Sequence, residues 1–116
     1  MFEYIILAHN DIETRGILYE VLTNLGYIIT TAVTHKELLE TLKKGIPDYV
    51  ILDLAISDMP AQDILEKIKT INENIKVIIL GAGKSRPEII QDILKILGER
   101  RIPSKVQTEP LKRSTS

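Results

Sequence analysis

Apolar residues in this chain fall in short unbroken runs, and these alternate with longer stretches of helical periodicity. Glu3 to Ala8 carries Tyr4, Ile5, Ile6 and Leu7 in a row, the form of a strand buried on both faces. Ile12 to Leu25 then places Ile17, Leu18, Val21, Leu22 and Leu25 on one helical stripe, with Gly26 as its stop. Tyr27 to Thr31 is rich in β-branched residues and reads as a strand near an edge. Thr34-His35-Lys36-Glu37 is a capping box ahead of Leu38, Leu39 and Leu42, so a second helix starts there and ends by Gly45. Ile46-Pro47-Asp48 is a turn feeding Tyr49-Val50-Ile51-Leu52-Asp53-Leu54, a third strand. After a loop over Ala55 to Pro60, Ile64, Leu65, Ile68 and Ile71 mark a third helix, and Lys76 to Leu80 a fourth strand. Ser85-Arg86-Pro87-Glu88 is a second capping box, opening a helix with Ile89, Ile90, Ile93, Leu94 and Leu97 inward and Gly98 as its end. Ser104 to Thr108 is a weak fifth strand.

The order β-α-β-α-β-α-β-α-β, with crossovers of this length, predicts an α/β fold with a parallel sheet and helices on both faces. Such a sheet brings strand ends together along its carboxyl edge, and that is where Asp53 falls. Only Leu111 to Ser116 follows the last strand, too little for a fifth amphipathic helix. A doubly wound sheet with four helices is expected to leave apolar surface open beside the first helix, and such a patch marks an interaction site.

Composition narrows the chemistry. At 116 residues the chain is one domain, with residues 1–111 patterned and 112–116 a polar tail or linker. Hydrophobic residues make up 44% and charged residues 27%, with a net charge of −1; there is no long basic stripe, so direct nucleic-acid binding by this segment is not expected. The absence of cysteine excludes disulfides, thiolate metal sites and cysteine nucleophiles, and fits an intracellular, cytoplasmic location. No apolar stretch approaches membrane-spanning length, and the first residues lack the layout of a signal peptide.

Four segments, in order, resemble one family, the receiver domain of bacterial response regulators. Ile6-Leu7-Ala8-His9-Asn10-Asp11 stands where the family has a strand ending in an acidic pair. Val50-Ile51-Leu52-Asp53-Leu54 followed by Ala55 to Ala61 resembles the phosphoacceptor strand and its loop. Val77 to Ala82 resembles the strand that ends in Ser or Thr followed by Ala, and Thr108-Glu109-Pro110-Leu111 stands where the family has Lys-Pro-Phe. The resemblance implies a flavodoxin-like, doubly wound sheet of five parallel strands in the order 2-1-3-4-5, with the final helix missing. It also implies two-component signal transduction, a histidine kinase or a downstream output domain as partner, and no enzyme activity of its own.

Carried over by position, Asp53 is the phosphoacceptor candidate, and the Mg²⁺-holding acidic pair falls on His9 and Asn10. Asn10 offers a neutral carbonyl oxygen and His9 prefers softer metals, while Asp11 is acidic but one position late. Asp53, Asn10 and Asp11 are therefore weak ligands for a weakened Mg²⁺ site. The hydroxyl position falls on Gly81, beside Ala82, and the lysine position on Glu109, which reverses the charge. Val106 takes the place of an aromatic switch residue. Phosphoryl transfer rests on positioning and on stabilising spread negative charge; by analogy with oxyanion-hole deletions, each lost contact costs about 3 kcal/mol in the transition state.

These residues also have plainer uses. Asp53 can bond loop amides, Asn10 or Asp11 can cap the first helix, and His35 sits in a capping box on a surface helix with no assigned role. Gly81-Ala82-Gly83-Lys84-Ser85 resembles the end of a phosphate-binding P-loop, but only one residue separates its glycines where four are needed. A weaker anion site with Lys84 and free helix amides is the remaining ligand reading, and Ser85 as an N-cap the simpler one. The reading favoured by the residues is an atypical pseudo-receiver that works by protein–protein contact, through a homodimer or a downstream domain docked in the gap of the absent helix. The alternatives are a working phosphoacceptor at Asp53 with an unusual metal shell, and a phosphate- or nucleotide-binding module at the strand-end crevice.

Overall fold

A computed structural model describes residues 2–56, 58–81 and 83–101, the side chains of 99–101 excepted. The chain divides into two compact units, residues 1–83 and 84–116. The first unit follows the expected alternation: β1 (Tyr4–Ala8), α1 (Ile12–Asn24), β2 (Ile28–Ala32), α2 (His35–Leu42), β3 (Tyr49–Asp53), α3 (Ala61–Ile71) and β4 (Lys76–Leu80). The four strands are all parallel, in the order β2-β1-β3-β4. This matches the first four places of the predicted sheet; the fifth strand, Val106 and Glu109 lie outside the described residues.

Strand alternation divides the core between the two faces. Ile6, Ala8, Val50 and Leu52 meet Leu38 and Leu42 of α2 and Ile64 and Ile68 of α3 in one buried cluster. Ile5, Leu7 and Ile51 point to the other face, where α1 contributes the buried Leu18 and Leu22. On this face Ile5, Leu7 and Ile51 are 0% exposed, Ile78 3% and Leu80 5%, while Ile12 and Tyr19 of α1 are exposed; residues 102–116, where the final helix is expected to be missing, lie outside the described residues.

Three local expectations shift. Leu25, placed on the α1 stripe, is the C-cap and 47% exposed, because Gly26 at φ 98° turns the chain just after it. Strand β2 begins one residue later than the β-branched run suggests. In the second unit, α4 (Arg86–Arg101) runs through Gly98 instead of ending there. A glycine costs a helix only about 1 kcal/mol relative to alanine, too little to stop it without a left-handed turn; the only positive-φ glycines described are Gly26 and Gly83. Ile93 and Leu97 are buried, as the stripe predicts.

Candidate functional site

The carboxyl edge of the sheet brings together β1, β3 and β4. Asp53 ends β3 opposite Leu80 of β4, and Gly81 follows directly. Although a carboxylate, Asp53 is only 7% exposed. Its Oδ1 accepts the Ala55 amide at 2.9 Å, the local turn that the sequence allows for an aspartate before a loop. Its Oδ2 lies 3.6 Å from Nδ1 of His9, which is 6% exposed.

His9 is held from three sides. Its amide donates to the Ala32 carbonyl at 3.0 Å, its carbonyl accepts from Arg15 Nη1 at 2.8 Å, and its Nδ1 accepts the Asp11 amide at 3.1 Å. A nitrogen that accepts an amide proton carries none itself. The 3.6 Å approach to Asp53 is therefore neither a hydrogen bond nor an ion pair in this arrangement, and the amide bond sets the ring's orientation.

Asp11 takes the plainer of its two readings. It is the N-cap of α1, its Oδ2 accepting the Thr14 amide at 2.9 Å and the Thr14 hydroxyl. Asn10 is exposed. The donors thus present Asp53 with one neutral imidazole, one exposed amide side chain and a carboxylate already engaged by its own helix. Among the described residues no three His, Cys, Asp or Glu side chains gather where a metal ion would bridge them. A hard Mg²⁺ ion asks for several oxygen ligands, and this set does not fit it.

Gly81 leaves open space. A Cβ built there meets nothing within 4 Å. Ala82 and Glu109 lie outside the described residues. At the start of α4 the second capping box forms as predicted. The Ser85 amide donates to Glu88 Oε1 at 2.8 Å and the Glu88 amide to Ser85 Oγ at 3.4 Å. The bond from the Ser85 amide, followed by one from the Ser85 side chain, holds the Glu88 carboxyl below its ordinary range. Lys84 pairs with Asp92, which raises its ammonium above the usual lysine value. The cation and the amide that an anion site would use there are already engaged.

The pair that sequence reasoning missed is His35 and Asp58. His35 is not on a free helix surface: it is 0% exposed, and its Nδ1 lies 3.1 Å from the Met59 carbonyl, so Nδ1 is the donor. Its Nε2 is buried without a hydrogen-bond partner among the described residues. Asp58 Oδ1 accepts the His35 amide at 2.9 Å and Oδ2 the Lys36 amide at 3.0 Å. Desolvation pushes the Asp58 carboxyl up, but the two amide bonds and the neighbouring His35 ring outweigh it and leave the carboxyl below its usual range. The first capping box is also modified. Thr34 Oγ1 accepts the Glu37 amide at 3.0 Å, but Glu37 reaches the Val33 amide, at 2.6 Å, instead of that of Thr34. The loop after Asp53 is thereby clamped to the start of α2. The only signal of this in the sequence is an aspartate five positions after Asp53, with its partners 22 and 23 residues earlier.

Residues 5–111 match the response regulator receiver domain family. Sporulation initiation phosphotransferase F of Bacillus subtilis is 37% identical over 82 residues, 71% of this chain and 66% of that protein. The transcriptional regulatory protein ZraR of Klebsiella oxytoca is 31% identical over 81 residues, but this chain spans only 18% of its length. A receiver domain protein from Methanospirillum hungatei superposes with a TM-score of 0.75 at 18% identity, over 86% of this chain and 94% of that one.

Proposed function

We propose that this chain, which belongs to the response regulator receiver domain family, is a pseudo-receiver: a signalling domain acting through protein contact, with phosphotransfer at Asp53 largely lost. Receiver domains belong to two-component signal transduction and work with histidine kinases and output domains, holding Mg²⁺ at the phosphorylation site. In this chain residues 1–111 would form the receiver, working in the cytoplasm, and 112–116 a tail. The observation that carries the reading is His9. An imidazole occupies the space beside Asp53, while the nearest acidic side chain in sequence, Asp11, is engaged as a helix cap. Gly81 adds to it, since no hydroxyl is present to bond a phosphoryl oxygen. Among the described residues no helix is long and apolar enough to cross a membrane.

The test is amide NMR with Mg²⁺ alone and then with Mg²⁺ and beryllofluoride, following Asp53, Ala55 and Gly81. The expected result is no saturable shift at these positions. Saturable shifts lost in Asp53→Asn would instead establish a working phosphoacceptor and overturn the reading.

A further inference from the structure

The open edge of the sheet at β2 has a pattern that points to an occupant. In a parallel pair, alternate residues turn both backbone groups toward the neighbouring strand. The Ile28 amide donates to the Glu3 carbonyl at 2.9 Å, and the Ala32 carbonyl accepts the His9 amide at 3.0 Å, so Ile28, Thr30 and Ala32 face β1. Tyr27, Ile29, Thr31 and Val33 face outward. The outer two are already served: the Tyr27 amide donates to the Leu22 carbonyl at 3.1 Å, and the Val33 amide to Glu37 Oε1 at 2.6 Å. No hydrogen bond among the described residues reaches the backbone of Ile29 or Thr31.

What remains is a short edge, symmetric about Thr30. A second copy laid antiparallel on that centre sets Ile29 opposite Thr31 and Thr31 opposite Ile29. Both are then hydrogen-bonded pairs, and all four open N–H and C=O groups of each copy are satisfied. Thr30 falls opposite Thr30, a favourable cross-strand pair, and Ile28, 53% exposed, falls opposite Ala32. Residues 28–32 contain no charge and no proline, the devices by which edge strands ordinarily refuse a partner. Like meeting like therefore brings no repulsion, and an edge only two outward residues long suits an identical edge better than a longer foreign strand.

We propose that two copies of this chain associate through β2, joining their sheets across a two-fold axis at Thr30. The proposal names a partner for the contact-driven role above, and rests on that role only for its meaning in the cell. It is tested by sedimentation equilibrium of the full chain over a concentration series, with residue-resolved hydrogen exchange. The expected result is a mass rising toward twice the monomer's, with the Ile29 and Thr31 amides slowing as concentration rises. Thr31→Lys should hold the mass at the monomer value with an unchanged far-UV spectrum. A chain that stays monomeric throughout overturns the proposal. So does a dimer that survives Thr31→Lys, or one in which both amides still exchange as fast as in the monomer; the exchange readout decides even if the variant folds poorly. A beryllofluoride response at Asp53 leaves this result untouched, and a monomeric chain leaves the pocket reading untouched.

Discussion

Asp53 and Asp58 stand five residues apart on one strand–loop segment, and their surroundings differ in almost every respect. Asp53 is buried, accepts one amide bond and faces a histidine that offers it no proton. Asp58 is partly exposed, yet accepts two amide bonds from the start of α2 and lies 3.8 Å from a fully buried histidine. The carboxylate that the family would use for chemistry is thus the loosely held one. Its neighbour Asp58 does the structural tethering. The crevice sets a histidine beside Asp53, while the loop next to it is anchored to the start of α2.

The largest effect is expected where the anchoring is deepest. His35→Ala removes a fully buried ring and its bond to the Met59 carbonyl, and should cost about 3 kcal/mol in urea denaturation. His9→Ala should cost about 1 kcal/mol, because the backbone bonds of residue 9 survive it. Equal losses would erase the contrast.

Asp58→Ala comes next, at about 1 kcal/mol, the usual worth of a helix-capping side chain. Its pH dependence sharpens the point. The folded carboxyl titrates below its unfolded value of 3.8, so the stability it adds is fully present above that value and is lost as pH falls through the folded pKa. Urea midpoints measured from neutral pH down into this acid range should fall for the natural chain. Asp58→Asn should show a flatter profile over the same range.

A third variant places carboxylates in the crevice. With His9→Asp and Asn10→Asp together, two carboxylates join Asp53, and their repulsion should cost about 1 kcal/mol without metal. Added Mg²⁺ should then raise the melting temperature of this variant and leave that of the natural chain unchanged, since only a protein that binds the ion is stabilised by it. A variant indifferent to Mg²⁺ would mean that the backbone, and not only these two side chains, has left the metal geometry.

How much of this was legible in the sequence follows from the range of each interaction. Elements β1 to α4 were readable because their apolar periods and two capping boxes are local signals: Ile64 and Ile68 mark α3, and Ser85 with Glu88 marks the start of α4. Asp53 was readable as a strand end, and Asp11 as a cap. The Asp58–His35 clamp was not, since it joins segments 23 residues apart with no motif between them. Neither was the end of α4, because Gly98 in isolation looks the same whether it stops a helix or is carried through one. The state of the β2 edge depended on which amides Leu22 and Glu37 had already taken, which only three-dimensional pairing shows.

Gly81→Ser is the smallest expected change and the most specific probe of the crevice. A Cβ at residue 81 meets nothing within 4 Å, and the backbone there is not in the left-handed region, so the added hydroxyl costs neither a clash nor strain. Folding stability should move by less than about 0.5 kcal/mol, as for a substitution at an open surface. The hydroxyl alone supplies one donor and no cation, so beryllofluoride should still leave Asp53 and Ala55 unshifted in this variant. Joined to His9→Asp and Asn10→Asp, the same serine should bring saturable shifts at both positions. If the serine by itself sufficed, the metal carboxylates would be dispensable, and the proposed loss of phosphotransfer at Asp53 would trace to one missing hydroxyl instead of to the histidine beside it.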